Sequence, residues 1–410
     1  MRKSPRVVAA AGAALLIAAL LSPSMARAAT VYEVQVGAFI DYPKAESTRM
    51  FPSALTVHRG DVVHFTSPVM HSVAVLTAGQ DPVAWIEQNW RGTKKAWSLF
   101  VAESDEAGVH KLNPRVLFPS HPCGWPTQVA CAYEGIEDPV LDVLSSGLPL
   151  FPEDGRLVAT QLDFSMRVDA AVGTTMWAVS LVNPGARLRI DVVDDAVVTS
   201  DPAALATSSA DQLAQDRATV RRLHNKFVDR RVFFRTASGR KVWKVWAGIE
   251  TATVSLRNFY PRRSVIRSGD KVRWFFDKLR WRADTVTFPR TRGIALAGSF
   301  PQIACDPNGD LTEGSETGPT RADYPYCENP LDLEMEAPRA ATARAGDNNH
   351  TRLAEFDSSG VRGPALGLAD ETYSLRFKKA SPRRGFRYVG VVGQIIHAPM
   401  SGTVVVKKAR

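Results

Sequence analysis

The sequence is poor in the side chains that bind metals and carry redox chemistry. Among 410 residues it has four cysteines and eight histidines, and no two histidines are separated by a single residue. The absence of His-x-His pairs removes the usual means of holding a cluster of several copper ions. No Gly-x-Ser-x-Gly sequence is present either, so the strand-to-helix turn that exposes a nucleophilic serine in hydrolases is not predicted.

Long apolar segments are absent after the first 21 residues. Residues 7–21 form an apolar run behind three basic residues, and Ala26-Arg27-Ala28 follows with the small-x-small pattern of a cleavage site. We therefore predict a signal peptide over residues 1–28, with a retained N-terminal anchor as the alternative. No later stretch reaches the roughly 18 apolar residues of a membrane span. The expected product is secreted or extracytoplasmic, in a periplasm or at a cell surface, without a transmembrane segment.

The net charge of +9 is distributed unevenly. Residues 29–200 contain 12 basic and 20 acidic residues, whereas residues 201–410 contain 35 and 22. The opposite charges predict either docking of the two halves or an anionic partner for the basic second half. The alternative is that the difference in charge between the two halves reflects drift in surface composition and has no function. Export argues against nucleic acid, so the expected partner is an unknown protein or an anionic envelope polymer.

Two segments of the chain are nearly repeated. Each has an aromatic-Pro segment, a Gly-Asp pair before a strand, and a short strand that follows a polar residue. Corresponding positions are Met50-Phe51-Pro52 and Phe259-Tyr260-Pro261, Gly60-Asp61 and Gly269-Asp270, and His71 and Asp284. The glycines are 209 residues apart (269 − 60) and the last pair 213 (284 − 71). Two copies of one β unit are therefore predicted, with an imidazole in the first where the second has a carboxylate.

The four cysteines are predicted to form disulfides because export implies an oxidising compartment. Three pairings are available. We favour Cys123–Cys131 and Cys305–Cys327, since each pair lies in the same region of its own repeat. A thiolate metal site is the alternative, but separations of 8 and 22 residues differ from metal-ligand spacing.

The remaining pattern predicts an all-β protein of two units. Short segments with partial period-2 alternation, separated by Gly, Pro and Asp, are typical of antiparallel sandwich strands. Residues 200–240 differ, because apolar residues recur at helical spacing, and Ser209 or Asp211 is the expected N-cap. The predicted organisation is a first domain over residues 29–199, a helical linker over 200–240 and a second domain over 241–410, each domain with a long loop insertion.

The repeat resembles the cupredoxin family, the plastocyanin and azurin type of Greek-key β-sandwich. The resemblance rests on the aromatic-Pro and Gly-Asp segments, the His-x-Val strand at His71, and a closing strand–loop–strand. In that family a blue-copper site uses a mid-domain His together with a Cys, a second His and a weak axial Met from the closing loop. The resemblance thus implies two cupredoxin-like sandwiches and directs attention to their ligand positions.

Most of the ligand positions implied by the resemblance hold other residues. In the first repeat only His71 matches, because the loop has Ser180, Asn183 and Ala186 where Cys, His and Met are expected. A buried histidine with a backbone hydrogen bond is the alternative role for His71. In the second repeat the corresponding positions are occupied by Asp284, Gln394, His397 and Met400. His397 and Met400 match the family pattern. The candidate in the second repeat is therefore a copper site formed by His397, Met400 and Asp284. The alternative is that Met400 is a core residue.

These substitutions favour a binding function over copper chemistry. The predicted function is a non-catalytic binding or scaffold protein of the cell envelope, and not an enzyme, since neither repeat supplies the thiolate. A copper-binding electron-transfer or copper-handling protein is the alternative, so copper is the one cofactor considered. Lys271-Val272-Arg273-Trp274 adds a candidate surface for an anionic polymer. Ordinary strand alternation, with the cations facing water, is the other interpretation of that segment.

Overall fold

The computed structural model describes a little over half of the chain in full. The residues described with their side chains are 27–68, 71–85, 144–147, 162–180, 185–276, 284–295, 349–360, 362, 372–390 and 399–409. Backbone alone is described for residues 86, 143, 296 and 297 and for short strands at 101–104, 109–112, 131–133, 150–153, 156–159, 303–305 and 333–336. Strand dominates over helix, which confirms the all-β prediction. The sandwich arrangement, the Greek-key connections and the domain boundaries stay predictions.

The strands of the first half are β1 (Val31–Ile40), β2 (Ala45–Phe51), β3 (Ala54–His58), β4 (Val62–Ser67), β5 (Val73–Leu76), β6 (Val101–Ser104), β7 (Val109–Leu112), β8 (Cys131–Tyr133), β9 (Val143–Ser145), β10 (Leu150–Glu153), β11 (Arg156–Ala159), β12 (Leu162–Val168), β13 (Thr175–Ser180) and β14 (Arg187–Val193). Those of the second half are β15 (Phe233–Arg235), β16 (Lys241–Glu250), β17 (Val254–Tyr260), β18 (Arg263–Arg267), β19 (Lys271–Phe275), β20 (Thr287–Phe288), β21 (Ile303–Cys305), β22 (Leu333–Glu336), β23 (Asn349–His350), β24 (Asp357–Ser358), β25 (Thr372–Phe377), β26 (Phe386–Val389) and β27 (Ser401–Lys407). Strands such as β4, β12, β19, β25 and β27 alternate buried and more exposed residues, as period-2 sequences require, whereas β2, β5 and β17 are buried almost throughout.

The described helices are α1 (Pro82–Ile86), α2 (Pro202–Phe227) and α3 (Arg290–Ala297). Within the residues that the structure describes, no helix has both the length and the apolar character needed to span a membrane.

One long sheet runs through both halves of the chain. Its order is β23-β25-β19-β16-β17-β2-β1-β4-β12-β8, with β15 added at β16. The junction is the antiparallel pair β2–β17, in which Glu46 lies opposite Ser255. The sequence predicted two units joined by a helical linker, whereas the structure joins them by backbone hydrogen bonds between strands. Pairing between sequence-distant edges is not encoded in local periodicity, so the prediction missed it.

Each half has a second sheet that packs on the long one. The order is β3-β14-β13-β5-β9 in the first half and β18-β27-β26-β20-β24 in the second. In the first half Phe65 of the long sheet and Ile190 of the second sheet share one core. In the second half Trp274 and Tyr388 do the same, with ring centroids 5.3 Å apart. The burial of these large side chains provides most of the stability of each half.

Helix α2 begins earlier than predicted. Asp201 is the N-cap, and its side chain accepts a hydrogen bond of 3.1 Å from Ala203 N. Pro202 occupies the first helical position, where its missing N–H costs nothing. Ser209 and Asp211, the caps expected from the sequence, lie inside the helix.

Helix α2 packs on the junction of the two halves instead of bridging open space. Its Val220 is buried in a cluster with Leu256 of β17. Its Asp216 is also buried, paired with Arg49 Nε at 3.1 Å and accepting a 2.6 Å hydrogen bond from Ser47 Oγ. Because both strands of the junction contribute, the helix reinforces the same contact that the strand pair makes.

The Gly-Asp pairs of the repeat form the same turn in both halves. Gly60 and Gly269 have φ values of 91° and 93°, a region that side chains with a Cβ disfavour. The carboxylate of the following Asp accepts from the backbone N–H three residues earlier, at 2.8 Å for Asp61 and 3.0 Å for Asp270. The turn therefore needs both residue types, which explains why the pair is present twice.

Replacing either turn glycine should destabilise the protein through the backbone alone. Gly60→Ala and Gly269→Ala are each expected to lower the free energy of unfolding by about 1–2 kcal/mol, the cost of a left-handed residue with a Cβ. No atom lies within 4 Å of an added Cβ at either position, so a clash does not contribute. Urea unfolding measures the loss. Gly60→Asn should cost less, since Asn tolerates this region better, and equal stability of the Ala variants and the wild type would contradict the argument.

Candidate functional site

His71 lies two residues before β5 and is fully buried. Its Nδ1 atom is 2.9 Å from Ser180 Oγ, and its Nε2 atom is 2.9 Å from Glu46 Oε1. Both ring nitrogens are therefore engaged by side chains. The sequence suggested a backbone partner for a buried histidine here, and the structure supplies two side-chain partners instead.

Glu46 connects His71 to the other half of the chain. It is fully buried on β2, and its second carboxylate oxygen forms an ion pair with Arg257 on β17. A buried carboxylate is costly unless charge and hydrogen bonds compensate it, and Glu46 has both. We name Ser180, His71, Glu46 and Arg257 the buried network. It crosses the β2–β17 junction from the first half to the second.

The closing loop of the first half begins and ends at residues without sulfur. Ser180 ends β13, and its backbone N donates a 3.0 Å hydrogen bond to Ala186 O. These residues thus mark the base of the loop, at the positions where the family resemblance places Cys and Met. Asn183 lies outside the described residues. At the base of this loop, the described side chains offer a hydroxyl and a methyl group to a metal, and no thiolate.

The second half has the same strand register, which corrects one assignment. Gly390 N donates a 2.9 Å hydrogen bond to Met400 O, as Ser180 does to Ala186. Gly390 therefore corresponds to Ser180, the residue for which the sequence analysis had given Gln394 as the counterpart. The error arises because the two loops differ in length, so counting back from the His position ends inside the longer loop. Gln394 itself lies outside the described residues.

Asp284 fills the space next to Gly390. Its side chain is buried, and its Oδ1 accepts from Thr285 N at 2.7 Å. Its backbone exchanges two hydrogen bonds with Arg362, of 2.9 and 2.8 Å. A Cβ built on Gly390 would lie only 2.3 Å from Asp284 Oδ1. The carboxylate thus stands where a thiolate side chain would otherwise point.

Of the predicted metal residues, Asp284 and Met400 both flank Gly390, and Met400 is buried in the second core. His71 belongs to the other half. His397 lies outside the described residues, so the proposed set of His397, Met400 and Asp284 stays a prediction.

The predicted disulfides also stay predictions. Cys123 and Cys327 lie outside the described residues, and only the backbone of Cys131 and Cys305 is described.

A second repeated motif, which the sequence analysis missed, contacts the chain two residues after His71 and two residues after Asp284. The tripeptide Ser-Ser-Gly begins at residues 145 and 358. Ser146 Oγ accepts from Val73 N at 2.8 Å, and Ser359 Oγ accepts from Val286 N at 2.8 Å. The available signal was the spacing, since 358 − 145 is 213, the separation of His71 and Asp284. The other missed residues, Glu46 and Arg257, have no comparable local signal.

On the outer face of the first half, His64 bridges two acidic side chains. Its Nδ1 and Nε2 atoms are each 2.8 Å from a carboxylate oxygen, of Glu33 and Asp163 respectively. Partial burial by itself would lower the pKa of His64. The hydrogen bonds and charges of Asp163 and Glu33 outweigh that effect and raise the pKa above its ordinary value. The protonated ring, which donates from both nitrogens, suits this geometry.

The segment Lys271-Val272-Arg273-Trp274 alternates as a strand. Val272 and Trp274 are fully buried in the second core, whereas Lys271 and Arg273 are half-buried and face away from it. The interpretation that this segment is an ordinary strand with alternating side chains is therefore confirmed. Its two cations lie together on the outer face of the long sheet.

The chain was compared with known proteins. No protein-family model and no curated protein matches it. Among solved structures, reduced auracyanin from Roseiflexus castenholzii is 11% identical, over 41% of this chain and all of that one, with a TM-score of 0.21. A Cu-containing nitrite reductase from Thermus scotoductus is 12% identical, over 93% and 68%, at 0.20. Blue copper oxidase from Nitrosomonas europaea is 10% identical, over 67% and 66%, at 0.18. These neighbours are cupredoxin-fold proteins, and similarity this low assigns no particular site or activity to the chain.

The prediction that the chain is not an enzyme is contradicted by this set. The matched structures include a blue copper oxidase, a multicopper oxidase and two nitrite reductases, all of which are enzymes. The prediction was too broad, because the absence of copper ligands argues only against catalysis by copper and says nothing about other kinds of enzyme. It is withdrawn.

The His64 bridge predicts a pH-dependent contribution to stability. Because the pKa of His64 is raised in the folded state, the contribution is fully present below the ordinary histidine pKa and is lost as pH rises through the raised value. His64→Gln should remove about 0.2–1 kcal/mol at pH 6, as for exposed ion pairs, and little at pH 9. Urea unfolding at several pH values measures it.

His224→Gln is the control, since burial lowers the pKa of His224 and its effect has the opposite sign. An equal cost of His64→Gln at pH 6 and pH 9 would contradict the prediction.

Proposed function

We propose that the chain is an exported binding protein of the cell envelope, built from two cupredoxin-like sandwiches that the long sheet fuses into one body. In the first half, the position that holds a copper ligand in the family serves the contact between the halves. The observation that carries this proposal is the buried network, because both nitrogens of His71 are engaged and the chain of contacts ends on Arg257 of the second half.

Shared geometry supports the idea that the halves are copies of one unit. The Gly-Asp turns, the Ser-Ser-Gly motifs and the hydrogen bonds that close the two loops occur at corresponding positions. The β2–β17 pair has Glu46 opposite Ser255, which are 209 residues apart like the turn glycines. Each strand of the junction is thus the counterpart of the other, as expected when two copies of a sandwich join edge to edge.

The residues of the first half do not fit copper. A metal needs a free lone pair from imidazole, but Ser180 and Glu46 engage both nitrogens of His71, and Ala186 has no donor atom. In the second half the Cys position is Gly390, so a thiolate site does not fit there either. Reversible one-electron transfer by a blue site depends on that thiolate, and we derive no such step for this chain.

Copper handling is the second candidate, and one observation favours it. Asp284 and Met400 both flank Gly390 at one strand end. If His397 reached the same place, the carboxylate, the thioether and the imidazole would together form an oxygen, sulfur and nitrogen donor set. Such a site would be an ordinary metal site without thiolate character.

Removing the arginine of the buried network should be costly. Arg257→Met leaves the Glu46 carboxylate buried without its charge partner, and we expect a loss of about 3–5 kcal/mol in the free energy of unfolding. Glu46→Gln combined with Arg257→Met should be less destabilised than Arg257→Met alone, since the amide is neutral and keeps a hydrogen bond to His71. Urea unfolding measures all of these variants.

The matched control is Arg189→Met, which breaks the exposed pair of Arg189 with Asp191 and should cost less than about 1 kcal/mol. Similar losses for Arg257→Met and Arg189→Met would refute the structural role of the buried network.

Copper loading separates the two candidate functions. Protein purified without an affinity tag, loaded with Cu(II) and desalted, is expected to retain far less than one copper per chain and to keep its melting temperature. Elemental analysis and a thermal scan provide the readouts. Retention of one copper per chain, lost in His397→Gln and Asp284→Asn but not in His71→Gln, would establish the second candidate and overturn the first.

A further inference from the structure

A group of cations and aromatic rings lies on the outer face of the long sheet in the second half. We name Phe234, Lys244, Lys271, Arg273, Phe275 and Arg376 the basic face. Their neighbours along β19 and β25, such as Trp274 and Leu375, point into the core, so the members of the basic face point away from it. All six are half-buried, and therefore reachable from solvent.

The strand register places like charges directly opposite each other. Lys244 lies opposite Arg273 in the β16–β19 pair, and Lys271 lies opposite Arg376 in the β19–β25 pair. Strands lie about 4.8 Å apart and alternate residues on one face about 6.8 Å apart, so the four cations form a compact grid. Like charges directly opposite in a sheet are destabilising. Folding alone does not account for this arrangement.

No acidic side chain among the described residues forms an ion pair with these cations, and Arg273 Nε donates a 3.0 Å hydrogen bond to Ser374 Oγ. Aromatic rings hold the cations in place. Lys244 Nζ is 5.7 Å from the Phe234 ring centre and 5.3 Å from that of Phe275, and Arg273 is 5.4 Å from Phe234. Rings and charges thus alternate over one flat surface.

The first half has acidic residues at the corresponding place. Glu33 lies opposite His64 in the β1–β4 pair, as Lys244 lies opposite Arg273. His64 already bridges Glu33 and Asp163. The first half therefore pairs these charges internally, whereas no acidic side chain among the described residues pairs with the cations of the second half. This difference also argues against a second copy as the occupant, since the acidic groups that would dock on the basic face are occupied.

We infer that the basic face binds an anionic polysaccharide, with Lys244, Lys271, Arg273 and Arg376 pairing its carboxylates and Phe234 and Phe275 covering the apolar faces of its sugar rings. Arg binds carboxylates through a planar fork, and Lys acts as a point charge. The rings lie 5.3–5.7 Å from Lys244 or Arg273 on the same sheet face, which suits a sugar chain lying along the sheet with its carboxylates near the cations. This inference rests on the proposed binding function and supplies its ligand class.

Titration of the tag-free protein with polygalacturonate, followed by calorimetry at 50 and 300 mM salt, tests the inference. Wild-type protein should bind, with an affinity that falls about tenfold or more at the higher salt because exposed charges are screened. Lys244→Gln with Arg273→Gln should weaken binding by about tenfold or more, yet raise the melting temperature by about 1–3 °C because a like-charge pair is removed. Phe275→Leu should weaken binding by about threefold, through lost ring contact.

Arg263→Gln with Arg387→Gln is the matched control, since it removes two exposed charges from the other sheet of the same half. It should leave the affinity within about twofold, as expected for charges remote from the ligand. Equal weakening by both double variants, or no binding by wild type at 50 mM salt, would overturn the inference.

Three further probes test the choice of occupant. Neutral dextran should not bind. Polyglutamate or phosphatidylglycerol vesicles binding more tightly than polygalacturonate would refute a glycan ligand and indicate an acidic protein or a membrane instead. A failed titration with an intact buried network would reject this inference alone, whereas copper retention at His397 and Asp284 would reject the proposed function.

Discussion

The structure depends on the buried carboxylate of Glu46 at the junction of its two halves. Glu46 lies where β2 meets β17, and it has to be compensated by partners from both sides, His71 in one half and Arg257 in the other. A charge placed in such surroundings is tolerated only with good geometry and further hydrogen bonds. The junction is therefore held in one arrangement, and helix α2 covers the same strands from the opposite face with its own buried ion pair.

This constraint explains why His71, which lies at the copper-ligand position implied by the resemblance, has both ring nitrogens in contact with protein side chains. One of these side chains is Glu46 of the junction, and the other is Ser180, whose hydroxyl lies where the family resemblance places a thiolate. The second half reaches a similar result by other means, since the carboxylate of Asp284 occupies the space beside Gly390. Two different substitutions have thus filled two equivalent positions with protein groups.

The two halves also differ on their outer faces, although the strands correspond. Glu33, His64 and Asp163 neutralise one another in the first half. The corresponding strands of the second half present opposed cations and half-buried rings. A charge pattern that opposes folding is informative, because stability alone would favour its removal. This asymmetry is the reason for proposing a ligand for the second half and none for the corresponding surface of the first.

The sequence by itself determined those features that depend on neighbouring residues. Strand alternation at residues 271–274, the Gly-Asp turns and the presence of a helix within residues 200–240 follow from side-chain period and backbone conformation, which are local. Tertiary structure alone decided the β2–β17 junction, the partners of His71 and the assignment of Gly390 to the Cys position. These depend on contacts between residues 25 to 211 positions apart and on loop lengths, and no local pattern in one sequence specifies which distant groups meet.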